Sequence, residues 1–442
     1  MSSLEVRIER VVYGALGLAR IVDEPNTSSA QVAFVPYTLS GELIDAERTA
    51  DANELKALRI LEASPERVPP GCPHFGVCGG CQLQMASYKE QIRLKTEVLR
   101  ESLIRAGVAD LPEIAVHAAE PWQYRNRIRL HVTRSDGTLR LGYRARESRR
   151  VVPIATCPIA ADLLWNAAET MLTLANRHAD IERWLDAATE VELFCNAEMS
   201  QLQLSLLSTG MSFPAPESFH KAMRGMHHNL PQLAGAGALR VHPRTGQLQK
   251  ELAKWGADGL NYEVAGERYW IARGGFSQVN RFLLPTMVDL VCAKRSGRVA
   301  WDLFAGVGLF ARVLARQFGQ VTAVEANATA ARELTAALQR LGGQHKGVAA
   351  VTDDFLRDAV VQRERPDLVV LDPPRAGAGS KVCERLEQLA PPQIVYVSCD
   401  PVTLGRDLAE LQKIYDIEAL HLIDLFPQTY HQEAVVQLRR RS

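Results

Sequence analysis

Three cysteines, Cys72, Cys78 and Cys81, fall within ten residues in "GCPHFGVCGGCQLQ", and a fourth, Cys157, precedes a proline in "VVPIATCPIA". Thiols this close suit either a soft metal or a disulfide framework. The opening "MSSLEVRIERVV" carries acids and alternates in polarity, so it reads as a strand and not as a secretory leader. Eight cysteines in 442 residues are then expected to be reduced thiols in a cytoplasm, and a tight group of them points to a metal. Cys399, in "IVYVSCDPVTLGRD", offers different chemistry. It ends a β-branched apolar run, and Asp-Pro and a helical segment follow it. Most such cysteines are inert packing. A thiol at the start of a helix, however, has its thiolate stabilised and becomes a nucleophile. Asp372 ends a similar run in "LVVLDPPRAG", while "FPQTYHQEAVV" places His431 and Glu433 just before a final strand. Paired with a thiol nucleophile, Glu433 is a candidate general base. Cys195, Cys292 and Cys383 sit within helix or strand patterns and read as core.

Strand ends of this kind need a scaffold. From about residue 266 to 442, "GRVAWDLFAG", "GQVTAVEAN", "KGVAAVTDD", "PDLVVLDPPR" and "PQIVYVSCD" are short apolar runs, each followed by a helical segment. That alternation makes parallel βαβ units covered on both faces. "YDIEALHLIDLFPQTYHQEAVVQLRR" carries two strand patterns with no helix between, which implies an antiparallel finish. Residues 1–62 read as short alternating strands separated by turns, the pattern of a small β-barrel. The stretch 63–265 contains the cysteines, the helical "SYKEQIRLKTEVLRESLIRAGV" and then mixed strands and helices, a β-rich central domain. The expected fold is therefore a multidomain α/β chain with three parts. No apolar run approaches the roughly 20 residues of a membrane-spanning helix.

"WDLFAGVGLFARVLA" starts as a buried strand, turns through Gly306 and Gly308 and continues as a helix. Glycines at such a turn let backbone N–H groups approach a ligand. Glu325 ends the next strand pattern, where an acid can hold ribose hydroxyls, and Asp353 or Asp354 in "VTDD" could reach an adenine edge. A dinucleotide fingerprint prefers a third small residue, and this turn has Phe310 and Ala311 there instead. S-adenosylmethionine is favoured over NAD.

"FSQVN" (276–280), "DLFAGVGLF", "DPPRAG", "SCDPVTLGRD" and "FPQTYHQE" together resemble the RNA 5-methyluridine methyltransferases, and the match runs in order along nearly the whole chain. "CPHFGVCGGCQLQ" is similar to the iron–sulfur segment of their 23S ribosomal-RNA branch, and the N-terminal strands resemble the RNA-binding β-barrel called TRAM (an OB-like module). The resemblance implies a C-terminal Rossmann-like class I methyltransferase domain. It implies Cys399 as nucleophile and Glu433 as base, with Gln278, Phe304, Glu325, Asp353 and Asp372 lining the S-adenosylmethionine and uracil pocket. Leu309 departs from relatives that have a polar residue there.

Cys72, Cys78, Cys81 and the distant Cys157 resemble ferredoxin-type ligation of a [4Fe–4S] cluster. Zinc competes, but its structural sites usually bring two C-x-x-C pairs and this segment has one. Net charge is balanced, with 51 basic and 51 acidic residues, so a polyanionic partner must be sought in local clusters. Residues 124–150 hold nine arginines against one aspartate and one glutamate, on strand patterns with tyrosines, a face suited to structured RNA. The function expected is C5 methylation of a uridine in 23S rRNA by a cytoplasmic monomer. Alternatives are tRNA uridine-54, methylation of an exocyclic amine, or a non-catalytic iron–sulfur RNA-binding or chaperone protein. The exocyclic-amine enzymes need an aromatic ring after Asp-Pro-Pro, where this chain has Arg375.

Overall fold

The structure, a computed structural model, describes residues 4–21, 31–210, 213–275 and 277–441. Phe276 of the "FSQVN" motif lies outside them. The chain divides into two compact units, each assembled from separate segments.

The first unit comprises Met1–Leu99, Gly142–Pro158 and Phe426–His431. Its N-terminal part is an antiparallel sheet ordered Gln31–Pro36, Leu16–Ile21, Leu4–Val12, Leu43–Arg48, Leu55–Glu62. Alternation puts Ile8, Ala19, Val35, Ile44 and Leu55 on one face, where they are buried together. The two outer strands meet at a bridge between Phe34 and Glu54. The cysteine loop is stitched to residues 142–158: Gly79 N donates to Arg144 O at 2.9 Å, and Ala155 N donates to His74 Nε2 at 2.9 Å.

The second unit comprises Arg100–Leu141, Ile159–Leu425 and Gln432–Ser442. Its larger sheet runs Lys346–Ala349, Phe318–Glu325, Gly297–Leu303, Leu368–Leu371, Gln393–Ser398, Glu433–Arg440, Tyr415–Ile423, Ile114–His117. The first five strands are parallel, and Glu433–Arg440 is antiparallel to both of its neighbours. Central strands such as Leu368–Leu371 are buried at every residue, as parallel strands covered on both faces must be. Chain order reverses between Gly297–Leu303 and Leu368–Leu371, which opens a crevice at their carboxyl ends. A second sheet is ordered Leu248–Gly256, Leu233–Val241, Leu202–Ser208, Glu190–Cys195, Arg127–Ser135, and the strand Thr138–Arg144 carries the chain onward into the first unit.

The βαβ alternation and antiparallel finish expected from sequence are present. Other features differ. The strand Ile114–His117 belongs to the larger sheet, pairing in parallel with Tyr415–Ile423, although it lies inside the expected 63–265 segment. The breaks expected at 62 and 265 do not coincide with the limits of the compact units. "TDD" does not end a strand: the strand stops at Ala349, and Thr352 opens the helix Thr352–Gln362. Among the described residues no helix is long and apolar enough to cross a membrane.

Candidate active site

Ser398 pairs with Ala434 across the antiparallel strands, so the next residue out on each strand is Cys399 and Glu433, set against one another at the carboxyl end of the sheet. The next residue, Asp400, caps the helix Pro401–Leu411: its Oδ1 accepts from Val402 N at 3.0 Å and Thr403 N at 2.9 Å. Cys399 is half-buried, and its thiol is pushed up to about 11 by burial, then by the Glu433 charge, with Arg375 opposing and Asp372 adding. The expectation of a thiolate stabilised by the helix start is thus corrected. The Asp400 carboxylate already accepts from those N–H groups, and the Glu433 and Asp372 charges oppose the thiolate. Glu433 is 3% exposed, and burial lifts its carboxyl well above the usual range, with Asp372 adding and Arg375 opposing. Burial likewise raises Asp372.

The glycine turn begins with backbone strain. Phe304 takes φ +63°, a left-handed conformation that costs a non-glycine residue of order 1 kcal/mol or more, followed by Gly306 at +54° and Gly308 at +82°. Gly306 N donates to Glu325 Oε2 at 3.0 Å and Asn327 N to Oε1 at 2.7 Å, so one carboxylate ties the second strand end to the turn. A Cβ on Gly306 would meet nothing within 4 Å, which marks open space beside the turn. Phe304 and Asp372 follow the two strands that flank the crevice. Asp353 is half-buried in the first turn of its helix, 3.9 Å from Arg385 Nε, whereas Asp354 is exposed and paired with Arg357 at 2.8 Å. Gln278 is half-buried; its carbonyl accepts from Asn126 Nδ2 at 3.3 Å.

Two acids escaped the sequence reading. Asp302 is fully buried, accepts from Ala311 N at 2.8 Å through Oδ2, and has no partner for Oδ1 among the described residues. Burial, with the nearby Asp372 and Glu325 charges, pushes it up to about 8 despite the Ala311 bond. It braces the glycine turn from beneath, and its signal was an acid inside the apolar "VAWDLFAG". The second is Asp407, in "GRD", also fully buried.

The cysteine segment is arranged differently. Cys72, Cys78 and Cys81 are half-buried and Cys157 is buried, all within the first unit. Cys157 Sγ lies 4.0 Å from Tyr143 Oη, and Gly80 N donates to Cys78 Sγ at 3.4 Å. Among the described residues no three His, Cys, Asp or Glu side chains form a ready metal-binding group. Cys195, Cys292 and Cys383 are buried as expected, and their thiols are raised by burial.

The arginine stretch is only partly free for a polyanion. Arg127 is half-buried, stacks 4.5 Å from the Phe194 ring centroid and bonds Gly275 O at 2.6 Å. Arg129 pairs with Glu192 at 2.8 Å, Arg134 with Glu182 and Asp186 at 2.9 Å each, and Arg146 with Glu54 at 3.0 Å. Arg140, Arg144, Arg149 and Arg150 are exposed, with no ion pair among the described residues.

A mostly parallel sheet with a glycine turn at its switch point has the architecture of an α/β methyltransferase fold. A solved tRNA (uracil-54, C5)-methyltransferase from Pyrococcus abyssi, in complex with S-adenosyl-L-homocysteine, shares this fold over 98% of this chain and 100% of its own, with TM-score 0.73 and 22% identity. The family described as tRNA (Uracil-5-)-methyltransferase matches residues 257–441. The 23S rRNA (uracil(1939)-C(5))-methyltransferase RlmD of Halomonas elongata is 32% identical, covering 98% of this chain and 89% of its own. The enzyme of the same name from Alkalilimnicola ehrlichii is 32% identical over 92% of each chain. This chain belongs to the RNA uracil-C5 methyltransferase family.

Proposed function

We propose that the enzyme methylates C5 of one uridine in 23S ribosomal RNA through a covalent bond between Cys399 and C6 of the base. The observation that carries this reading is the strand register that sets Cys399 against the buried Glu433. The choice of 23S RNA is supported by the names of the two relatives at 32% identity.

C5 of uracil is too weak a nucleophile to take a methyl group unaided. The Cys399 thiolate forms the Sγ–C6 bond, and the electron pair of the C5–C6 double bond moves into an enolate. S-adenosylmethionine supplies the methyl group, which C5 takes as the sulfur–methyl bond breaks and the thioether departs. Glu433 then removes the C5 proton, the C5–C6 double bond re-forms and the Sγ–C6 bond breaks, which restores the thiolate. A carboxylate raised by burial is a stronger base than one in water, which suits Glu433 to that proton. Arg375 is the cation that opposes the acids around the thiol. The base has to leave its stack to reach these groups, at a few kcal/mol.

Gln278, Phe304, Glu325, Asp353 and Asp372 would hold the methyl donor and the base. The open space at Gly306 and the exposed state of Asp354 favour this set with Asp353 in it. Cys72, Cys78, Cys81 and Cys157 would hold a [4Fe–4S] cluster as a staple: the donor set is four thiols of one unit, three of them in glycine-rich turns, and no catalytic step runs through it. Residues 1–62 would serve as a TRAM-like RNA module, and Arg140, Arg144, Arg149 and Arg150 are the arginines left to meet phosphates.

Incubation with labelled methyl donor and separate rRNA and tRNA substrates, followed by mapping of the product, tests the reading. 5-Methyluridine in 23S RNA is the expected result. Label confined to tRNA would move the substrate assignment to uridine-54, and label at an amine would overturn the chemistry.

A further inference from the structure

Asp407 takes no part in the mechanism above, yet it is 1% exposed and both of its carboxylate oxygens are hydrogen-bonded. It lies about two turns along the helix Pro401–Leu411, the helix that starts directly after Cys399 and Asp400. Its Oδ2 accepts from Tyr396 Oη at 2.6 Å, Ala378 N at 2.7 Å and Gly379 N at 3.3 Å, and its Oδ1 accepts from Arg406 Nε at 2.9 Å. Arg406 Nη2 donates in turn to Ala376 O at 2.9 Å, and Thr403 Oγ1 donates to Arg375 O at 3.1 Å. The remaining loop residue, Gly377, takes φ +77° and donates its N–H to Pro374 O at 2.8 Å. A Cβ at Gly377 would come within 2.5 Å of Arg406 Nη2 and 2.6 Å of Asp407 Oδ2, so conformation and space both demand glycine there. Four of the five loop residues, Arg375, Ala376, Ala378 and Gly379, are therefore fastened to the helix that follows the nucleophile.

We propose that Asp407 is a positioning residue for methyl transfer: by clamping the loop 375–379 it fixes the backbone from which the exposed Arg375 side chain acts on the site of Cys399 and Glu433. This rests on Cys399 being the nucleophile. The charged groups around the thiol are Glu433 on the final strand, Asp372 and Arg375 on the loop, and Asp400 at the helix start. Arg406, Tyr396 and Cys383 surround Asp407 itself. Of the groups acting on the thiol by charge, Arg375 favours the thiolate while Glu433 and Asp372 oppose it. Loosening the loop then removes the favourable charge and leaves the unfavourable ones.

The test measures the rate of alkylation of Cys399 by iodoacetamide as a function of pH, read from the Cys399 peptide by mass spectrometry, in Asp407→Asn and Gly377→Ala. Both variants should show the alkylation midpoint moved upward by about half a unit or more. Turnover should fall roughly tenfold or more, with KM for RNA unchanged. In an Arg375→Gln background, Asp407→Asn should move the midpoint no further. A parental midpoint in both variants, accompanied only by a lower Tm, would overturn the proposal and leave Asp407 as scaffold. Gly377→Ala carries the test alone should Asp407→Asn not fold. Methylation that survives in Cys399→Ala is a separate failure, since it removes the nucleophile assignment while the alkylation midpoint, which needs no turnover, can still shift.

Discussion

Two regions of this chain concentrate sulfur or use it, and they are built on opposite plans. Cys72, Cys78 and Cys81 stand in glycine-rich turns, joined to the strand segment 142–158 mainly by backbone bonds such as Gly79 N to Arg144 O. Cys399 stands alone at a strand end, with Glu433, Asp372, Arg375 and Asp400 around it. Spacing advertises the first group; the charged surroundings distinguish the second. Burial and the neighbouring acids push that thiol up to about 11, which disfavours the thiolate that the proposed chemistry uses.

The largest effect is expected at Cys399. Cys399→Ala should lose methyl transfer by roughly four orders of magnitude or more and form no denaturation-resistant adduct with 5-fluorouridine RNA on a gel. Glu433→Gln should lose a factor of ~10²–10⁴ in turnover, yet still form the adduct, which then accumulates on ordinary uridine RNA. An adduct absent from Glu433→Gln would assign the carboxylate an earlier step. Cys78→Ser acts on the other side of the contrast: it should lower bound iron and Tm, while alkylation of Cys399 keeps its parental pH profile. Full iron content in that variant would remove Cys78 from the ligand set. The smallest effect concerns Asp302. Its folded value, about 8, lies above that of an unfolded aspartate, so its contribution to stability is complete below the ordinary carboxylate range and is lost as pH rises through about 8. Asp302→Asn should therefore show a smaller fall in Tm between about pH 5 and about pH 8 than the parent. Equal slopes would mean that Asp302 is ionised throughout.

How much of this was legible beforehand divides along the same line. Patterns carried by contiguous residues were readable: the alternating strands of 1–62, the βαβ run, the glycine turn and the antiparallel finish. Properties that depend on distant partners were not. Asp400 is a capping residue by type, but that it would screen Cys399 from the helix start required the cap bonds to Val402 and Thr403. Half of the conspicuous arginine stretch is occupied, and the acids that occupy it, Glu192, Glu182, Asp186 and Glu54, lie far away in sequence. Asp353 and Asp354 are equivalent by pattern; helical geometry turns one to Arg385 and the other to Arg357. Asp407 reads as an ordinary polar position in an amphipathic helix until the loop 375–379 closes over it.

The strand Ile114–His117 has a consequence for how the molecule is made. It pairs with Tyr415–Ile423, and His117 Nε2 lies 3.1 Å from His421 Nδ1 across 304 residues of chain. During synthesis that strand emerges early and waits for almost the whole remaining polypeptide before its partner exists, a late and entropically costly closure. A fragment beginning at residue 257, where the family match starts, would carry every strand of the larger sheet except this one. Its Tyr415–Ile423 strand would then present unpaired N–H and C=O groups, a template for self-association in a truncated product.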